Sequence, residues 1–174
     1  MKRMIFSFLA GLVIIQLAAV ALLKPTPRLV WNASASAPLG LYWIDPAASP
    51  KLGDLLAVQA PEEISRLMDV RGYLPANALL LKRVAALSGT KICREGERVI
   101  VAGKVITLAK RVDAQRRSLP SWQGCRKLAE DEIFLVNADV PNSLDGRYFG
   151  PFPKSSIVGL AIPIWIDEEN DGRH

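Results

Sequence analysis

A serine hydroxyl becomes a nucleophile only when a base takes its proton. This chain has almost nothing with which to build the usual base. Its one histidine, His174, is the last of 174 residues, and chain ends are commonly mobile. A Ser-His-Asp triad or a Cys-His pair needs a histidine held within hydrogen-bonding reach of the nucleophile. A neutral lysine can act instead. An exposed lysine has a pKa of about 10.4 and is charged at neutral pH, but burial among apolar groups disfavours the charged form and lowers that value. Leu79-Leu80-Leu81-Lys82-Arg83-Val84-Ala85-Ala86-Leu87 supplies such a setting. On a strand, Lys82 and Arg83 point to opposite faces, so one can face a dry site while the other stays in solvent. Taken by composition alone, the simpler reading of Lys82 is an edge-strand lysine that blunts aggregation. Candidate serines cluster in Asn32-Ala33-Ser34-Ala35-Ser36-Ala37-Pro38-Leu39-Gly40-Leu41-Tyr42. Small residues there let a peptide backbone approach, and Pro38 and Gly40 set a turn. By itself this stretch reads as an ordinary polar loop.

Other chemistries find little support. With one histidine and no Cys-x-x-Cys there are too few soft ligands for a metal site, and no phosphate-binding glycine loop is present. No cofactor is expected. The net charge is +5 and the pI about 9.4. The basic residues are spread in short groups such as Arg116-Arg117 and Arg126-Lys127, so no nucleic-acid partner is expected.

The elements that must position these residues are short. Twelve prolines and twelve glycines punctuate the chain too often for a long-helix bundle. Strands are expected over Asp54–Val58, Ala78–Leu87, Glu132–Val136 and Ser156–Trp165, with a hairpin over Arg98–Leu108 turning at Ala102-Gly103. Pro61–Met68 reads as one helix, with proline and two glutamates in its first turn. Val112–Leu128 reads as a polar surface excursion and Asp139–Gly150 as a loop. The fold class is mainly β: an antiparallel catalytic-type domain over 25–174, preceded by an N-terminal segment over 1–24. In that segment Met1-Lys2-Arg3 is basic and Met4–Leu23 is apolar apart from Ser7 and Gln16. About 20 such residues suit one transmembrane helix, with Lys2 and Arg3 on the cytoplasmic side. Ala19-Val20-Ala21 also resembles a signal-peptide cleavage site. Either way the body is exported: an inner-membrane protein with a periplasmic domain, or a periplasmic one if the segment is removed. In that oxidising compartment Cys93 and Cys125 can form a disulfide, or remain two free thiols.

Three segments, in this order after the apolar one, carry a family resemblance. They are Ser34-Ala35-Ser36-Ala37-Pro38, Lys82-Arg83-Val84-Ala85-Ala86-Leu87-Ser88-Gly89, and Ser143-Leu144-Asp145-Gly146-Arg147-Tyr148-Phe149-Gly150. The set resembles the serine, lysine and Ser-x-Asp-Ser-Arg-Tyr-(Trp/Phe)-Gly boxes of the type I signal peptidase family. The tail Ile157-Val158-Gly159-Leu160-Ala161 looks like its closing strand. The short chain and the Asn-x-Ser-x-Ser-x-Pro-x-Gly-Leu-Tyr form resemble the TraF-type branch, which serves conjugative plasmid transfer. The resemblance implies a membrane-anchored serine endopeptidase with Ser36 as nucleophile and Lys82 as general base. It implies that Ser34 supports the oxyanion, and that Asp145 and Arg147 brace the site, the aspartate also mattering for activity in this branch. The implied partners are an exported precursor, above all a pro-pilin, the membrane, and other conjugative transfer proteins. A general signal peptidase I and a non-catalytic pilus-assembly component are the alternatives. Two departures stand out. Pro38 follows Ser36 by two residues where the family has three, and Gly146 replaces the serine after the aspartate.

Overall fold

The computed structural model describes residues 2–23 and 28–167. His174 and the linker at 24–27 lie outside them. The apolar N-terminal segment forms one helix, α1 (Lys2–Leu23), with Met4, Ile5, Phe6, Phe8, Leu9, Val13, Ile14 and Ile15 more than half exposed. The expected transmembrane span is corrected here: among the described residues no helix is long and apolar enough to cross a membrane.

The rest is mainly antiparallel β. Strands β1 (Leu29–Asn32) and β2 (Leu39–Asp45) pair across the serine-bearing turn. Then come β3 (Leu55–Gln59), helix α2 (Glu62–Val70) and β4 (Leu79–Ala86). A second group follows, β5 (Lys91–Glu95), β6 (Arg98–Val101), β7 (Lys104–Leu108) and β8 (Gly124–Lys127). The chain closes with β9 (Glu132–Leu135), the one-turn helix α3 (Gly146–Phe149), β10 (Phe152–Pro153) and the long β11 (Ile157–Asp167). One sheet runs β1-β2-β11-β3-β4-β9-β10 and the other β7-β6-β5-β8.

Why the lysine strand sits in the interior of the sheet follows from its composition. Leu80 and Val84 pack with Leu56, Val58, Ile133 and Phe152 on one face, and Leu81 packs with Tyr42, Ile44 and Ala57 on the other. A strand apolar on both faces has to be covered on both, and β4 lies between β3 and β9. Lys82 is therefore no edge-strand lysine. It shares the face of Leu80 and Val84 and is 2% exposed, while Arg83 turns to solvent.

The expected strands did not include β1, β2, β5, β8 or β10, and helix α3 was not expected either. β8, Gly-Cys-Arg-Lys, is exposed at every position and so has no apolar alternation to reveal it. Its Cys125 lies directly opposite Cys93 of β5, and a disulfide joins them. α3 interrupts the expected 139–150 loop. Its start is fixed by the Asp145 side chain, which accepts from the Arg147 backbone N–H, as N-capping aspartates do. Gly146 stands where a side chain cannot: a Cβ would lie 2.8 Å from both the Leu135 carbonyl oxygen and the Phe134 ring.

Candidate active site

The serine turn is built around Asn32, at the end of β1 and 7% exposed. Its Nδ2 lies 3.0 Å from the carbonyl oxygens of Ser34, Ala37 and Pro38. Its Oδ1 accepts from the Ser34 backbone N–H at 3.1 Å and from Ser34 Oγ at 3.0 Å. Tyr42 OH donates to the Pro38 carbonyl at 2.7 Å. The turn is thus held by side chains where no ladder can hold it. Ser34 Oγ and Ser36 Oγ lie 3.1 Å apart within it.

The lysine arrives from the opposite wall. Lys82 Nζ donates to Ser143 Oγ at 3.0 Å. Burial pushes its pKa down to about 8; the nearby Asp145 carboxylate opposes this and the Arg147 guanidinium adds to it. Ser34, Ser36 and Lys82 line one groove of about 580 Å³, walled further by Met68, Tyr73 and Leu74. Among the described residues no hydrogen bond joins Ser36 to Lys82. Ser36 also borders a small polar pocket of about 120 Å³ with Arg83, Asn137 and Asp139.

Asp145 and Arg147 do not reach the groove. Both are fully buried, and the carboxylate takes two hydrogen bonds from the guanidinium, at 2.8 and 3.0 Å. What links them to the serine and lysine is Asn137, which sequence reading missed. Its backbone N–H donates to Asp145 Oδ2 at 3.0 Å, and its carbonyl accepts from Arg147 Nη2 at 2.6 Å. Its side-chain Nδ2 donates to the Leu81 carbonyl at 3.0 Å and, in a short contact, to the Ser36 carbonyl. Its Oδ1 accepts from the Arg83 backbone N–H at 2.8 Å. One residue thus ties together the serine turn, both neighbours of Lys82 on β4, and the buried ion pair. Nothing local in Val136-Asn137-Ala138 announces this. Ser143 was within reach, since it opens the third box. Cys93 and Cys125 belong to the other sheet and take no part in the groove.

The chemistry this allows is that of a serine and a depressed-pKa lysine on one apolar cleft. The chain is similar to several known proteins. The chain is 29% identical to a plasmid transfer protein TraF of Escherichia coli, over 94% of this chain and 98% of that one. It is also 29% identical to a conjugal transfer protein TraF of Agrobacterium fabrum, over 77% and 80%. A signal peptidase I of Leptolyngbya laminosa is 25% identical over 65% of this chain and 51% of its own. A solved signal peptidase I from Enterococcus faecalis V583 superposes with a TM-score of 0.39 at 17% identity, over 65% of this chain and 97% of that one. The family described as signal peptidase, peptidase S26, matches residues 1–166, and to that family this chain belongs.

Proposed function

We propose that the chain is a serine endopeptidase of conjugative transfer that matures an exported precursor, a pro-pilin above all, with Ser36 as nucleophile and Lys82 as base. The observation that carries this is the shared groove: Ser36 and a buried lysine with a pKa of about 8 open on one cavity. Neutral Lys82 takes the proton of Ser36 Oγ as that oxygen attacks the scissile carbonyl. The developing oxyanion is met by the Ser34 hydroxyl and the Ser36 backbone N–H. Protonated Lys82 then gives the proton to the departing amine, and water, or an amine of the substrate itself, releases the acyl group. Asp145 and Arg147 act at one remove, by fixing Asn137. Two relatives named for plasmid or conjugal transfer favour a dedicated substrate over general signal-peptide removal.

Membrane association is part of this reading. Trp31 and Trp165 stack at 5.7 Å on the outer face of the sheet. They are 60% and 55% exposed, beside exposed Leu29 and Trp43, on strands that follow the apolar α1. Exposed tryptophans suit the membrane–water interface.

The test is to incubate the purified full chain with candidate pilin precursors and weigh the products. Cleavage at one bond by the wild type and none by Ser36→Ala is expected. Equal cleavage by folded Ser36→Ala would end the proposal. Loss of conjugation with normal growth on deletion separates the dedicated enzyme from a general one.

A further inference from the structure

A second cavity adjoins the groove. It lies beyond Tyr73, Asn142 and Leu144, has a volume of about 450 Å³ and is bordered by Lys110, Asp113, Leu119 and Tyr148. The same three residues line both cavities, so they form the partition between them. Asn142 and Leu144 flank Ser143, the hydrogen-bond partner of Lys82. Tyr73 is different. It follows the C-terminus of α2 in the turn Arg71-Gly72-Tyr73-Leu74, which belongs to no strand.

That turn is gripped from across the chain by the 112–118 excursion. Tyr73 OH donates to Asp113 Oδ2 at 2.5 Å, and Arg117 Nε donates to the same oxygen at 2.6 Å. The Arg117 guanidinium also donates twice to the Arg71 carbonyl, at 3.2 Å each, and its carbon lies 5.0 Å from the centre of the Tyr73 ring. In return Arg71 Nη1 donates to the Ser118 carbonyl at 2.8 Å. Asp113 Oδ1 meanwhile accepts from the backbone N–H groups of Gln115 and Arg117, so the excursion is closed on itself as well as on the turn. Charge-assisted bonds of this kind hold geometry better than neutral ones.

We propose that Asp113 and Arg117 are positioning residues that fix Tyr73 as the end wall of the substrate groove, and so set which substrate side chains it admits. The inference rests on the peptidase reading above. With the clamp intact the two cavities stay apart. With it released, Tyr73 swings and the groove gains the second cavity, so that it admits bulkier side chains than the intact wall does. Tyr73 OH, Asp113 and Arg117 act on the substrate only through the wall's position, which separates them from the reacting groups.

The experiment uses the full chain, wild type against Tyr73→Phe, Asp113→Asn and Arg117→Ala. The probes are two fluorogenic peptides with an Ala-x-Ala cleavage site, the second with phenylalanine for alanine at a single position before the scissile bond. The substitution is tried at each such position in turn. At one position the ratio of kcat/KM for the bulky over the small peptide is expected to rise about five-fold or more in all three variants. A general loss of structure lowers both rates alike and leaves the ratio unchanged, so ratios within two-fold of wild type in folded variants overturn the proposal. If the wild type cuts neither peptide, the peptidase reading is judged by the pilin-precursor assay instead. Hydrogen exchange still judges the clamp: amides at 72–74 should exchange faster in Arg117→Ala with β4 and β9 unchanged, and equal protection overturns it.

Discussion

The two halves of the site are held by opposite means. Lys82 stands mid-strand in the interior of a seven-stranded sheet, opposite Leu56 of β3. Its place is a by-product of regular structure, and its chemistry comes from burial. Ser36 stands in a turn without ladder bonds of its own, kept in shape by two asparagines, Asn32 and Asn137. The lysine half is therefore tuned electrostatically and is hard to displace. The serine half is tuned by geometry and is easy to displace. Substitutions on the two sides should fail in different ways.

The largest effect comes from removing either reacting group. Ser36→Ala leaves no attacking oxygen. Lys82→Arg leaves a base that stays protonated at any working pH. Each should lower kcat by about 10⁴-fold or more, read on a precursor the wild type cleaves, with circular dichroism to establish folding. Full activity in folded Lys82→Arg would remove the lysine from the mechanism.

This division also decides what could be read in the sequence. The lysine half was legible in part: Leu79–Leu87 reads as an apolar strand and the opposed directions of Lys82 and Arg83 follow from period two, but its interior place in the sheet did not, since by composition Lys82 read as an edge-strand lysine. The hairpin at Ala102-Gly103 and helix α2 were legible for the same reason, as periodic runs with punctuated ends. The serine half was not. Ser34 and Ser36 were found through the resemblance of the boxes, while Asn137 lies 101 residues from Ser36 in a stretch with no pattern. A side chain that works by tertiary hydrogen bonds leaves no periodic trace. The segment of α1 shows the reverse error, since composition suggested a span that the described helix does not supply.

A second prediction tests the electrostatic half alone. The folded pKa of Lys82, about 8, lies below its ordinary 10.5. Between these values the unfolded chain holds a proton that the folded one has released, so stability rises with pH across the window and the penalty is complete below it. A shift of this size corresponds to roughly 3 kcal/mol. Lys82→Met removes that penalty and also the bond to Ser143, worth about 1 kcal/mol net. The variant should be about 2 kcal/mol more stable than wild type at pH 7 by urea denaturation. Its advantage should vanish by about pH 10.5. An advantage constant from pH 7 to 10.5 would mean that Lys82 carries no burial penalty. The same pKa requires the cleavage rate of the wild type to climb through about pH 8, because only the neutral amine accepts a proton.

The geometric half has the subtler test. Asn137→Ala takes the donors from the Ser36 and Leu81 carbonyls and the acceptor from the Arg83 N–H, and it leaves the apolar neighbours of Lys82 in place. A nucleophile misplaced by about 1 Å costs on the order of 10²-fold in rate. The expected result is a fall in kcat of that size, KM within about three-fold, and a rate that still rises near pH 8. Asn137→Asp separates the alternatives. Its carboxylate cannot donate to the two carbonyls, so kcat falls as before, but its negative charge near Lys82 favours the ammonium and moves the rise to higher pH. If Asn137→Ala shifted the midpoint as far as Asn137→Asp, the asparagine would be acting on the lysine's charge. The separation of a geometric serine half from an electrostatic lysine half would then fail.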